Sequence, residues 1–166
     1  MLKIAGALLV IVASSMWGIG IYCDLKLKAG ITNGCIKGLF ALKENIRFSM
    51  ENLYESIALC AKSSGKAKEI FECATEKAES GLNPSEALKY SLQCNKHISD
   101  NTRNIMLYMC SQLGKTDAEG QILMLEKCML DLEKVQSEEN EIIKTKGVLY
   151  QKCGIVSGIL IAIILI

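Results

Sequence analysis

Twenty consecutive residues, Ile4 to Cys23, carry no charge. At the helical rise that stretch is ~30 Å long, the depth of a bilayer core. Trp17 and Tyr22 lie in its second half, where interfacial aromatics are favoured. We read it as a membrane helix. The competing reading is a cleaved signal peptide. Its basic start would be Lys3 and the amine, and Ala13-Ser14-Ser15 would imitate a cleavage site. The apolar stretch runs past the usual length of a signal's apolar region, which favours the span.

The other end is shorter. Cys153 to Ile166 is fourteen uncharged residues, ~21 Å of helix. Starting at Gly147 adds Gln151 and Lys152, and the Lys152 ammonium can snorkel to the interface. This segment is expected to span or anchor; a monotopic or buried core helix is the alternative. The chain is thus expected to divide into a membrane helix at 1–23, a helical domain at 24–146 and a membrane anchor at 147–166.

Lysine placement orients both segments. Lys26, Lys28 and Lys37 follow the first; Lys134, Lys144, Lys146 and Lys152 precede or open the second. Positive flanks stay cytoplasmic, so the middle of the chain is expected there. The cysteines agree. Eight of them are spread almost evenly, the smallest gap being twelve residues, with no Cys-x-x-Cys. With His97 as the one histidine, close metal-ligand pairs are missing, and no metal is expected. Spread cysteines on apolar positions read as small buried hydrophobes in a reducing compartment.

Between the ends, apolar residues recur at helical spacing. Ile31, Cys35, Leu39, Leu42 and Ile46 make one stripe on a helix expected over Asp24–Phe48. Gly30, Gly34 and Gly38 weaken its propensity, but their spacing lets another helix approach closely. Leu53, Ile57 and Cys60 mark a second helix ending near Ser64-Gly65. Ala67, Ile70, Phe71, Ala74 and Ala78 mark a third, stopped by Gly81. Asn83-Pro84-Ser85-Glu86 supplies an N-cap, a proline at N1 and an acid at N3 for a fourth, with Ala87, Leu88 and Leu92 inward. A fifth spans Asn101–Leu113, with Met106, Met109, Cys110 and Leu113 inward and Gly114 beyond. Thr116-Asp117-Ala118-Glu119 reads as a capping box for the longest helix, whose inner face is Ile122, Leu125, Met129, Leu132 and Val135. The charge-dense end of that helix, Asp131 to Lys146, reads as a solvated face or as a docking surface for a basic partner. No period-2 strand appears, and one proline in the chain argues against an all-β sandwich. The expected fold is all-α: an antiparallel bundle of five to six helices flanked by N- and C-terminal membrane helices.

Chemistry is sparse. Half the residues are hydrophobic and 22% charged, which excludes a disordered chain. A net charge of +1 offers no field for nucleic acid. There is no phosphate loop, dinucleotide fingerprint or nucleophile elbow. Cys94 and His97 stand three apart, but no third group orients them, and an ordinary exposed turn is expected. No catalytic residue, cofactor or small-molecule substrate is expected. Gly154-x-x-x-Gly158 lies in the C-terminal apolar helix, and Ser14 and Gly18 repeat its spacing in the first. Small residues so spaced let membrane helices pack on each other or on partners.

Several elements then coincide. Met-Leu-Lys opens the chain before an apolar helix, and Leu39 and Ile46 stand seven apart. Leu113-Gly114-x-x-Asp117-x-x-x-Gln121 starts a long charged helix. Asn83-Pro84-Ser85-Glu86-Ala87 turns into a short one. Lys146-Gly147-x-Leu149-Tyr150 leads into the glycine-containing Ile/Leu tail. Nearly end to end, this pattern resembles the stage III sporulation protein AB family of spore-forming Firmicutes. The eight cysteines and the Gly30, Gly34, Gly38 spacing depart from it.

The resemblance implies a non-enzymatic subunit of the secretion-like channel complex between mother cell and forespore. It implies a place in the mother-cell membrane, beside a secretion-type ATPase and other membrane subunits, in support of late forespore gene expression. It also implies a fold similar to cytoplasmic domains of type II secretion and type IV pilus platform proteins. Lys115, Asp117 and Gln121 match the family element, as capping and loop-packing groups or as partner contacts. The rival from another class is a bitopic sensor or scaffold with a helical ligand-binding domain. It lacks an output domain in this sequence, and the lysine distribution opposes its external middle.

Overall fold

The computed structural model describes residues 2–48 and 53–165, with side chains for 6, 9, 12–48, 54–161 and 163. It is helical throughout, with no strand among the described residues. In chain order the elements are α1 (Leu2–Phe48), α2 (Leu53–Ser63), a 3-10 turn (Gly65–Ala67), α3 (Lys68–Glu79), α4 (Pro84–Cys94), α5 (Asp100–Gln112), α6 (Ala118–Ile142), a π-helical turn (Ile143–Gly147) and α7 (Val148–Leu165). The chain forms two compact units: Met1–Leu27 with Glu138–Ile166, and Lys28–Ser137.

In the unit Lys28–Ser137, consecutive helices α2 to α5 pack on one another. Its core joins Ile31, Cys35, Leu39 and Leu42 of α1 to Ile57 and Cys60, Ile70, Phe71 and Ala74, Leu88 and Leu92, Met106 and Met109, and Leu125 and Leu132. Every helix thus turns the expected stripe inward, because only that face can leave water when helices stack. Ile46, Ala78 and Ile122 sit at the margin of the core. Leu53 lies outside the residues whose side chains are described.

The helix ends follow local chemistry. Gly81 takes φ 98° and closes α3, with Leu82 N–H donating to the Lys77 carbonyl (3.2 Å) and Gly81 N–H to that of Ala78 (3.0 Å). Asn83 Oδ1 accepts from Ser85 N–H at 3.0 Å, with Pro84 at N1 as expected. Between α4 and α5, Asn95 Oδ1 accepts from the His97 and Ile98 amides, and Arg103 Nη2 donates to the Asn95 carbonyl at 2.8 Å.

The glycines of α1 do not interrupt it. A Cβ on Gly34 would come within 2.7 Å of Ala67 Cβ and of its backbone nitrogen, and would strike the Ser64 carbonyl. One on Gly38 would come within 2.7 Å of Phe71 Cε2. The stripe is the seat of the Ser64–Ala67 turn and the start of α3. Close packing there outweighs the roughly 1 kcal/mol per glycine that helix propensity costs.

In the other unit, α1 and α7 lie against each other through small residues. Leu9, Met16, Trp17, Ile155, Ile159 and Ile163 are exposed around that pair. Two of the expected helices continue into the apolar segments beside them. The helix expected from Asp24 is one with the apolar helix before it, since Cys23 to Leu27 contains neither Gly nor Pro. α6 passes into α7 through the π-helical turn instead of a loop. Among the described residues, no helix is long and apolar enough to cross a membrane. The two expected spans rest partly on side chains at 4, 5, 7, 8, 10, 11, 162 and 164–166, which lie outside the described set.

Candidate functional site

The turn at residues 115–117 precedes α6, and Gln121 lies in the first turn of that helix. Asp117 Oδ1 accepts from Gly120 N–H at 3.1 Å, and the Asp117 carbonyl accepts from Gln121 N–H at 3.0 Å. Asp117 is therefore the N-cap. The expected box put that role on Thr116, one residue earlier. A carboxylate is a stronger acceptor than a hydroxyl and favours the positive end of the helix dipole, which moves the cap to the aspartate. Gln121 Nε2 reaches back to the Thr116 carbonyl at 3.0 Å. Two of the three family-matching side chains thus fix the loop. Lys115 and Asp117 remain exposed, and Gln121 is half-buried.

Ser14, Gly18 and Gly154 come together between α1 and α7. Ser14 Oγ donates to the Gly154 carbonyl at 2.6 Å and lies 3.0 Å from Ser157 Oγ. A Cβ on Gly154 would stand 2.9 Å from the Ser14 carbonyl oxygen and 3.3 Å from Gly18 Cα. One on Gly18 would stand 2.7 Å from the Tyr150 carbonyl oxygen. Gly158 is buried as well. Small residues here permit backbone contact between two apolar helices, sealed by a serine hydrogen bond. Further along the pair, a Cβ on Gly147 would stand 3.0 Å from the Tyr22 ring, and Lys26 Nζ lies 5.0 Å from the centre of that ring.

The cysteines divide. Cys35, Cys60, Cys110 and Cys128 are buried; Cys73 is half-exposed; Cys23, Cys94 and Cys153 are exposed, and no disulfide joins any two of the eight. Burial pushes the Cys60 and Cys110 thiols up to about 12. Cys60 donates to the Gly38 carbonyl at 3.1 Å. These are inert packing groups. Cys94 ends α4, and His97 lies on the exposed turn held by Asn95. Among the described residues, no group of three His, Cys, Asp or Glu side chains stands close enough to hold a metal ion.

One surface is invisible to helical spacing. A groove of about 560 Å³ runs between α1 and α6, floored by Ile36, Phe40, Met129 and Leu130, with Lys37, Glu126 and Glu133 on its lips. Phe40 is 54% exposed and Leu130 59%, and Leu123 lies one heptad before Leu130 at 66%. Each of the first two adjoins a core residue, Leu39 or Met129, and so disappears into the stripe when only spacing is counted. The signal was the width of the apolar face, which exceeds what one core contact needs.

The sequence model of stage III sporulation protein AB matches residues 3–166. No curated protein and no solved structure matches the chain. The likeness carried by Leu113 to Gln121 and by the glycine-containing tail is thereby borne out over the whole matched length, and with it a role in sporulation. The chain belongs to the stage III sporulation protein AB family.

Proposed function

We propose that this sporulation protein is a membrane-anchored structural subunit, without catalytic activity, of the channel complex between mother cell and forespore. The pair α1 and α7 anchors it in the mother-cell membrane. The helical unit Lys28–Ser137 stands on the cytoplasmic side. There it joins a secretion-type ATPase to the other membrane subunits by binding alone, in support of late forespore gene expression.

The observation that carries the anchoring is the apolar surface around α1 and α7. Leu9, Met16, Trp17, Ile159 and Ile163 leave their side chains exposed. Apolar area costs about 25 cal/mol per Å² in water, and lipid removes that cost. Tyr22 packs near Gly147, and Tyr150 near Gly18. With Trp17 they form an aromatic level, and Lys26, Lys144, Lys146 and Lys152 are exposed close to it in sequence. That grouping suits a cytoplasmic headgroup layer.

A single-cysteine variant retaining the exposed Cys94 tests the sidedness. In intact cells a membrane-impermeant maleimide should leave it unlabelled, and permeabilisation should expose it. The protein should stay with membranes through an alkaline carbonate wash. Labelling in intact cells would place the helical unit outside, as a sensor requires, and end the proposal.

A further inference from the structure

We propose that the groove between α1 and α6 seats a second copy of this chain, making the helical unit a two-fold dimer. Phe40 and Leu130, 54% and 59% exposed, line the same groove from its two sides. Neither belongs to the unit that carries the apolar α1–α7 surface, so the lipid proposed to cover that surface does not account for them. Contiguous exposed apolar surface of this kind marks a protein contact.

The charges select the occupant. Lys43 Nζ lies 3.4 Å from Glu126 Oε1, so the charge of Glu126 is already met within the chain. Two charges remain, Lys37 on the α1 lip and Glu133 on the α6 lip. Among the described residues neither has an ion-pair partner. An occupant must bring an acid to one lip and a base to the other, with apolar side chains between. A copy turned about a two-fold axis parallel to the helices brings its own Glu133 to Lys37 and its own Lys37 to Glu133. In an isologous interface one contact implies its reciprocal, so a single pair of residues satisfies both lips. Phe40 and Leu130 then cover each other's counterparts, away from water.

The test uses the full chain in detergent micelles, with mass measured by light scattering over a micromolar range. The wild type should show a concentration-dependent dimer. Lys37→Glu alone and Glu133→Lys alone should each weaken it at least ~10-fold, since both lips then carry like charge. An equimolar mixture of the two variants should recover dimers of one kind only, the mixed pair. Lys37→Glu/Glu133→Lys in one chain should dimerise with itself. Circular dichroism checks that each variant remains folded, and Phe40→Ala supplies an uncharged disruption. A monomeric wild type overturns the proposal and leaves the groove to another protein. Dimers that survive both single variants, or singles that do not rescue each other, also overturn it.

Discussion

The hydroxyls of Thr32 on α1 and Thr102 on α5 meet at 2.8 Å, and neither side chain touches solvent. Their direction is fixed by their neighbours. Thr32 Oγ1 donates to the Lys28 carbonyl and Ser99 Oγ donates to Thr102 Oγ1, so Thr102 is the donor between the two threonines. The chain of bonds runs one way from α5 into α1. Thr32→Val should destabilise the unit by about 1–3 kcal/mol, because the buried Thr102 hydroxyl loses its acceptor. Thr32→Val/Thr102→Val should recover most of that loss, both partners being gone. Urea denaturation of the four forms in a double-mutant cycle measures the coupling. Additive losses would mean the bond is not made.

Gly34→Ala should be more costly than its single added methyl suggests. The new Cβ would meet the Ser64 carbonyl and the backbone nitrogen of Ala67, the latter at 2.7 Å. Neither is a flexible side-chain end. Overpacking of this kind costs about 1–3 kcal/mol, enough to overcome the propensity that alanine gains in a helix. A midpoint shift to lower urea at unchanged slope is the expected result. A stabilised variant would show that the turn does not sit on the stripe.

The buried thiols set an alkaline limit. Cys60 and Cys110 lie near 9.0 when unburied and are held at about 12 in the fold, chiefly by burial. Below pH 9 both states keep the protons and the thiols add no pH dependence. Between about 9 and 12 the unfolded chain gives up protons that the folded one retains. Stability therefore falls as pH rises, by up to about 1.4 kcal/mol per pH unit for each thiol. Cys60→Ala/Cys110→Ala should flatten that decline in thermal melts. At neutral pH a maleimide should modify Cys94 in the folded protein, and should reach Cys60 and Cys110 only after denaturation.

Asp117 separates capping from recognition. Asp117→Ala removes the acceptor for Gly120 N–H and should cost about 1 kcal/mol. Asp117→Asn keeps an acceptor and removes the charge. If the loop serves the proposed ATPase contact through its carboxylate, Asp117→Asn should fold normally and lose any co-purification with that ATPase. If both variants behave as the parent does in that assay, the loop's role is local capping.

Spacing alone made the core legible: Ile31, Cys35, Leu39 and Leu42 repeat at three and four residues, and water leaves only that face. The Asn83-Pro84 start was equally plain, because proline at N1 and an asparagine cap have few other uses. What spacing hides is reach. Gly34 looked like a weakness until Ser64 and Ala67 were found against it. Thr32 looked polar until Thr102 met it from seventy residues away. Phe40 and Leu130 had the same apolar character as their buried neighbours, and only the fold decides which of two adjacent hydrophobes faces inward. At the α1–α7 contact, the small residues were visible in sequence, but their choice between pairing with each other and pairing with partners was not.

That choice yields the last prediction. Ser14 Oγ and Ser157 Oγ lie 3.0 Å apart, so cysteines at both positions would bring two sulfurs within bonding reach. With Cys23 and Cys153 replaced by serine, oxidation of Ser14→Cys/Ser157→Cys in the full chain should close one bond inside a single chain. It would be read as the loss of two hydrogens in intact mass without a dimer band. Adding Gly18→Leu should abolish it, because even the first side-chain carbon would stand 2.7 Å from the Tyr150 carbonyl oxygen and 3.3 Å from Gln151 Cα. Backbone cannot yield there without parting the helices. Cross-linking between chains would instead show that these small residues pack against another copy. Undiminished intramolecular closure in Gly18→Leu would show that the helices meet without the glycine contact.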